Sequence, residues 1–222
     1  MSASDRIYES IEAQISEGQL LPGDPVEEQH LMSTFGVSRT PVREALLRLK
    51  ADGYLSSISR GGSVVAKMDL PKLLAVWELL ADLEGLCARY ACARMTDEER
   101  QKLLQVHKGA EDIVKAEDET GWREANRTFH EILYEGSRNP FLREVIIRMR
   151  IKTSAYRHKS YSFGGVVGHM KQAYRFHGLL VDAILAGDAE AAAKAACDHL
   201  SPEEGAKGVL ELARSAPKSF LA

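Results

Sequence analysis

Apolar residues recur every three or four positions along most of the chain, which is the spacing of one face of an α-helix. The first such run predicts an amphipathic helix that ends at Gly18, with isoleucine at every fourth position: Ile7, Ile11 and Ile15. A second, shorter helix is predicted from Val26 to Phe35, where Gly36 stops it. The N-terminal region is therefore expected to begin with two short helices.

A third helix begins near Ser38, Thr40 or Pro41 and ends at Gly53, and it buries four apolar residues: Val42, Ala45, Leu46 and Leu49. The sequence leaves open whether Ser38 or Thr40 caps this helix, since both side chains are good N-caps. Two short strand-like runs then flank Arg60-Gly61-Gly62, which is typical of a β-hairpin. Three helices followed by a hairpin predict a winged helix-turn-helix covering residues 1–68.

The rest of the chain is predicted to be a helical domain covering residues 69–222. Its helices are expected at about 70–94, from the capping box at 96–99, at 121–137, at 140–158, at 170–186 and at 188–200. The segment HKSYSFGGVVGH, residues 158–169, is the least helix-like and is expected to be a loop. Ser201-Pro202 is expected to break the last helix. The fold class is therefore mainly α, a winged helix-turn-helix followed by an all-α bundle.

Composition narrows the class of protein only slightly, since 45% of residues are hydrophobic and 27% are charged. No run approaches the roughly 20 apolar residues of a membrane span, and the start resembles no signal peptide. The three cysteines, Cys87, Cys92 and Cys197, have no metal-type spacing and are expected to be buried thiols. We therefore expect a cytoplasmic protein without a membrane partner.

Positive charge is concentrated in one segment, although the net charge is -3. Residues 1–35 hold seven acidic residues and one basic residue, whereas residues 36–67 hold six basic and two acidic residues. Within the basic segment, Arg39 and Arg43 lie four positions apart and share a helix face opposite the buried one. This arrangement is typical of a recognition helix for double-stranded DNA, although a solvated basic face would give the same pattern.

The histidines suggest a second site, in the helical domain. Asn126 and His130 are four positions apart on one helix, while His177 precedes Gly187 by ten residues and His199 follows it by twelve. At about 1.5 Å per residue, the last two lie roughly 15 and 18 Å from the turn, at nearly equal heights of an antiparallel hairpin. An internal cluster of imidazoles and one amide oxygen suits a divalent ion, Zn or Ni. Hydrogen-bonded core histidines are the alternative interpretation, and His107, His158 and His169 are expected at the surface or in loops.

The segment VSRTPVREALLRLKADGYL, followed by SRGGSVV, resembles the winged-helix signature of GntR-superfamily transcription regulators. The resemblance covers residues 5–67 and implies DNA contacts by Ser38, Arg39, Thr40, Arg43 and the wing residues Arg60 and Gly61. One departure is Gln29, where relatives often carry a basic residue.

The helical part resembles the ligand domain of the FadR branch, the FCD type, through FH at 129–130 and FHGLLVDAILAGD at 176–188. This resemblance implies a metal site at Asn126, His130, His177 and His199, with Asn126 in place of the usual Asp, and a small carboxylate effector beside the metal. Leu80 stands where many relatives have an arginine, and Arg148 or Arg150 are the candidates to replace it in effector binding.

These patterns predict a homodimeric transcriptional regulator that binds an inverted-repeat operator and responds to a small molecule. Two alternatives stay open from the sequence. Three histidines with an open coordination position would also suit a metal-dependent enzyme acting on a small organic acid, although no general base is placed beside them. In the other alternative the metal is purely structural.

Overall fold

The computed structural model describes residues 1–58, 62–164 and 166–200, and for residues 155, 157–164 and 166 only the backbone. The predictions for Arg60, Gly61 and the Ser201-Pro202 break lie outside these residues, as does the side chain of His158. Among the described residues, one compact unit holds Met1–Leu73 and Arg150–Lys159, and a second unit holds the remainder.

The described elements run in the order helix, strand, two helices, two strands and then helices. Their bounds are α1 Ala3–Ser16, β1 Pro25–Val26, α2 Glu28–Phe35, α3 Arg39–Ala51, β2 Leu55–Ser57, β3 Ser63–Val65, α4 Leu70–Arg94, α5 Asp97–Lys115, α6 Glu119–Gly136, α7 Pro140–Gly164, α8 Val166–Ala186 and α9 Ala189–Leu200. The predicted mainly α fold is confirmed. In the described part of the chain, no helix combines the length and apolar character needed to cross a bilayer.

The first unit is built around the buried faces of α1 and α3. The predicted isoleucines and the apolar residues of α3 are all buried: Ile7, Ile11, Ile15, Val42, Ala45, Leu46 and Leu49. Helix α1 starts with a reciprocal capping box, in which Ser2 Oγ accepts from the Asp5 N–H and the Asp5 carboxylate accepts from the Ser2 N–H. The 3.6-residue period therefore located both helices correctly.

The three strands form an antiparallel sheet in the order β1-β3-β2. Strands β2 and β3 are the predicted hairpin, with Leu55 opposite Val65. The prediction that Val26 begins the second helix is wrong, because Val26 pairs with Ser63 in strand β1. Pro25 lacks an N–H and is tolerated there because β1 is an edge strand, and α2 starts only at Glu28.

Residues 150–159 of α7 also belong to the first unit. The Ser154 hydroxyl donates to the Ile15 carbonyl at 2.8 Å, and the Tyr156 hydroxyl accepts from the Met68 N–H at 2.8 Å. Tyr156 is almost fully buried, and this burial raises the pKa of its phenol. These bonds fasten α7 side chains to the end of α1 and to the segment after β3.

The second unit consists of α4 from Leu74 onward, α5, α6, the first part of α7, α8 and α9. The Thr96–Glu99 capping box is confirmed at the start of α5, and Gly187, with φ of 74°, forms the predicted turn between α8 and α9. Cys87 and Cys92 are buried and Cys197 is half-buried, and none of the three forms a disulfide.

The prediction of a loop at residues 158–169 is wrong. Helix α7 continues to Gly164, and α8 already begins at Val166. The segment contains no proline, and serine, tyrosine and phenylalanine each disfavour a helix by only a few tenths of a kcal/mol relative to alanine. The polar residues before Gly164 therefore stay in α7.

Candidate functional site

The outer face of α3 presents the two predicted arginines. Arg39 and Arg43 leave 59% and 60% of their side chains exposed, while Val42 and Leu46 on the opposite face are buried. Both guanidinium groups are therefore open to a partner, and the apolar face fixes the helix against the first unit. This is the geometry that a major-groove helix requires.

The start of α3 is also open. Ser38 is the N-cap residue, which answers the question between Ser38 and Thr40, but its hydroxyl makes no capping hydrogen bond. Ser38 and Thr40 are both exposed. Because the first N–H groups of a helix have no partner within it, this end of α3 can donate to phosphate oxygens.

A carboxylate from α2 lies beside the arginine pair. Glu28 Oε1 and Oε2 accept from Arg43 Nε at 3.2 and 3.3 Å, and Oε2 lies 3.5 Å from Arg39 Nε. The sequence pattern gave no reason to single out Glu28, because it belongs to the acidic segment before the recognition helix.

Three histidines meet in the second unit. Their candidate ligand nitrogens, one each from His130, His177 and His199, all lie within 4.8 Å of one another. His130 and His177 are buried and His199 is half-buried. Helices α6, α8 and α9 supply one histidine each, as counting residues from Gly187 predicted for the last two.

Aromatic rings hold His177 in place. Phe129 stacks on it with ring centroids 4.0 Å apart and planes 5° from parallel, and Trp122 stacks at 5.8 Å. The centroid of His177 lies 5.2 Å from that of His130 and from that of His199. The histidines line a small cavity with Glu84 and apolar residues, the latter being Leu133, Phe176, Leu180, Ala195 and Ala196.

The three imidazoles fit a divalent ion in chemistry and nearly in distance. Zinc–nitrogen bonds of about 2.1 Å place tetrahedral ligand nitrogens roughly 3.4 Å apart. Side-chain rotations that close at most about 1.4 Å would bring the observed set to this spacing. Neutral imidazole is the preferred donor of zinc, nickel and similar ions.

Sequence analysis missed Glu84, which is 2% exposed and borders the histidines. The Tyr134 hydroxyl donates to Glu84 Oε1 at 2.7 Å, and Glu84 Oε2 lies 4.0 Å from His130 Nδ1. A signal was available, because Glu84 lies four residues after Leu80 and three before Cys87 on the buried face of α4. A carboxylate at such a position is unusual unless it has polar partners.

The other predicted site residues lie elsewhere. Asn126 is half-buried one turn before His130 and does not line the cavity. Arg148 and Arg150 do not line it either, and Arg148 forms an ion pair with Glu144 at 2.9 Å.

Two histidines outside the cluster, His107 and His169, are half-buried on helices rather than in loops. His107 stacks on Tyr174 with ring centroids 4.3 Å apart, and burial lowers the pKa of its imidazole. Its ring therefore serves packing in the second unit.

Comparison with known proteins agrees with both halves of this description. Residues 75–202 match the FCD domain, and residues 3–65 match the bacterial regulatory proteins of the gntR family. The E. coli McbR/YncC structure shares the fold, with a TM-score of 0.78 and 22% sequence identity over 98% of this chain and 100% of that chain.

Three curated relatives are transcriptional regulators by name. The HTH-type regulator YdhC of Bacillus subtilis is 28% identical over 64% of this chain and 63% of its own length. The Nta operon transcriptional regulator of Aminobacter aminovorans is 36% identical over 45% of this chain and 44% of its own length. The galactonate operon transcriptional repressor of Escherichia coli is 25% identical over 88% of this chain and 93% of its own length. The match thus covers less than two thirds of the first two relatives.

A winged helix-turn-helix with exposed arginines, joined to a helical domain, defines a DNA-binding transcriptional regulator. The chain belongs to the GntR family of such regulators, within the group that carries an FCD domain. These families are regulators and not enzymes, which sets aside the enzymatic alternative.

Proposed function

We propose that the protein is a cytoplasmic homodimer that binds an inverted-repeat operator and changes its operator affinity when a small carboxylate binds near a divalent metal ion. Residues 1–68 carry the DNA-reading role and residues 69–222 the sensing role, as in the FadR branch. Two-fold symmetry of the dimer matches the symmetry of such an operator.

The observation that carries the DNA-reading role is the exposed face of α3. Arg39 and Arg43 extend from its first turns with about three fifths of each side chain in solvent. An arginine fork can donate to O6 and N7 of one guanine, which makes it the commonest specific contact to a base edge. Ser38 and Thr40 beside them suit the phosphate backbone.

Binding of operator DNA tests this role. A duplex enriched from a random pool by the wild-type protein serves as the probe, and Arg43→Ala is expected to weaken its binding by about 1–3 kcal/mol. Arg127→Ala is the matched control, because Arg127 is also more than half exposed and lies on α6, in the second unit. Equal affinities of the two variants would contradict the recognition-helix assignment.

The observation that supports sensing is the cavity at the three histidines. His130, His177 and His199 would hold zinc or nickel, and Asn126 is the proposed additional oxygen donor. A divalent ion bound there would supply the positive charge and open coordination positions that a carboxylate requires. The apolar residues that line the rest of the cavity suit the non-polar part of a small organic acid.

The names of two relatives point to the same chemical class. One is the galactonate operon repressor of Escherichia coli. Another, also from Escherichia coli, is named "Putative L-lactate dehydrogenase operon regulatory protein" and is 27% identical over 89% of this chain. Galactonate and lactate are both hydroxy acids. We therefore propose a hydroxy acid or a similar small carboxylate as effector.

A thermal-shift screen of small organic acids, with and without Zn²⁺ or Ni²⁺, tests the sensing role. The expected result is a specific acid that stabilises the metal-loaded protein and not the metal-free protein. If metal raises the melting temperature but no acid adds to it or alters operator binding, the metal is purely structural.

A further inference from the structure

We propose that Glu28 is a specificity-determining residue, because its carboxylate fixes both recognition arginines so that they read base edges rather than bind phosphates. This inference rests on the proposed DNA-reading role of α3. It concerns a residue of α2 that contacts the arginines and not the residues expected to touch bases.

The atoms that Glu28 engages are the basis of this proposal. Arg43 Nε donates to the two carboxylate oxygens of Glu28 at 3.2 and 3.3 Å. Arg39 also approaches through its Nε, which lies 3.5 Å from Glu28 Oε2. In the part of the chain that the structure describes, no hydrogen bond occupies the Nη nitrogens of Arg43. The terminal fork therefore stays available for guanine O6 and N7 while the inner nitrogen is held.

The position of Glu28 on α2 makes the carboxylate a stable anchor. It is the first residue of the helix, where the partial positive charge of the helix end favours an anion. The side chain is 32% exposed, about half as much as the arginines that it contacts. The more buried partner thus orients the two more exposed ones, which lowers the ordering cost of base contacts.

The negative charge of Glu28 also disfavours DNA contacts that do not depend on the base sequence. A carboxylate beside the arginines repels the nearby phosphate backbone, and it compensates part of the charge that would attract any duplex. Ion pairs between exposed groups add little to folding stability. The arrangement consequently favours discrimination between DNA sequences at the expense of general affinity for DNA.

The test compares Glu28→Gln with Glu27→Gln, which makes the same charge change one residue earlier. Glu27 is exposed and has no ion pair or side-chain hydrogen bond among the described residues. Three probes are used at about 0.1 M salt: the duplex enriched by the wild-type protein, the same duplex with one guanine pair substituted, and a scrambled duplex.

Wild-type discrimination against the substituted guanine pair is expected to be roughly 5- to 150-fold. Glu28→Gln should bind the scrambled duplex at least about threefold more tightly and lose at least about threefold of that discrimination. Glu27→Gln should keep the wild-type discrimination. Tighter binding to the scrambled duplex together with weaker discrimination separates this role from a structural one, since a loosened helix would weaken binding to every duplex.

Three results would overturn the proposal. They are equal discrimination by the two variants, weaker binding of all probes by Glu28→Gln, and a switch to a different preferred base, which would mean that Glu28 itself contacts a base. Failure of the wild-type protein to enrich any sequence would instead refute the proposed DNA-reading function, so the two failures are distinguishable.

Discussion

Replacing His199 by alanine is the sharpest test of the histidine cluster. His199 is half-buried on α9, so its removal disturbs packing less than removal of His177, which is 3% exposed and stacked on Phe129. His199→Ala is therefore expected to remove one ligand and leave the second unit folded.

The size of the effect follows from linkage between metal binding and folding. Zinc at about 100 times its dissociation constant stabilises the folded state by roughly 2.7 kcal/mol. At about 2–4 °C for each kcal/mol in a unit of this size, the wild-type melting temperature should rise by roughly 5–10 °C.

The binding free energy of a structural zinc site is about 10–16 kcal/mol. Divided among four ligands, it implies that loss of one ligand costs about 3 kcal/mol. That loss weakens affinity roughly 150-fold. At the same zinc concentration the variant would be only about half loaded, and its melting temperature should rise by about 1 °C.

The assay is thermal unfolding of each protein with and without zinc, supported by metal analysis after dialysis. His107→Ala is the matched control, because His107 is a half-buried histidine of the same unit outside the cluster. Its own zinc-dependent shift should equal that of the wild type. An undiminished shift in His199→Ala, or none in the wild type, would refute the metal site.

Two further predictions concern single carboxylates. Glu84→Gln should weaken zinc affinity about 10–100-fold, since carboxylates beside metal-binding histidines orient the ring and raise its basicity. A zinc titration with a competing chelator measures this affinity. An unchanged affinity would exclude that role of Glu84. The hydrogen bond from Arg48 lowers the pKa of Asp5 from 3.8 to about 2. Its stabilising contribution is therefore complete above about pH 4 and is lost as the pH falls through 2. Asp5→Asn should accordingly lower the melting temperature at pH 6 and have a much smaller effect near pH 2, where the carboxyl is already about half protonated. An equal effect at both pH values would contradict this ion-pair account.

The elements that the sequence predicted correctly depend on local signals. The isoleucines of α1, the Thr96–Glu99 capping box and Gly187 each act within one or two helical turns, so neighbouring residues are sufficient to identify them. The heights of His177 and His199 follow from the same local geometry, because both are counted from one turn.

What the sequence did not predict depends on distant partners. Val26 forms a strand because β3, almost forty residues later, offers it an edge. Glu84 is tolerated in the core because Tyr134, which lies on another helix, donates a hydrogen bond to its carboxylate. The contact of Glu28 with the arginines likewise arises only when α2 packs on α3, so no pattern within α2 reveals it.

The participation of residues 150–159 in the first unit limits how the DNA-reading part can be separated from the rest of the protein. Cleavage after residue 68 would leave the Ile15 carbonyl and the Met68 N–H without the hydroxyl groups of Ser154 and Tyr156. The winged helix therefore cannot be exchanged between proteins as a module with a single junction. A chimera with a foreign sensor would have to keep this stretch of α7 or provide equivalent hydroxyl groups.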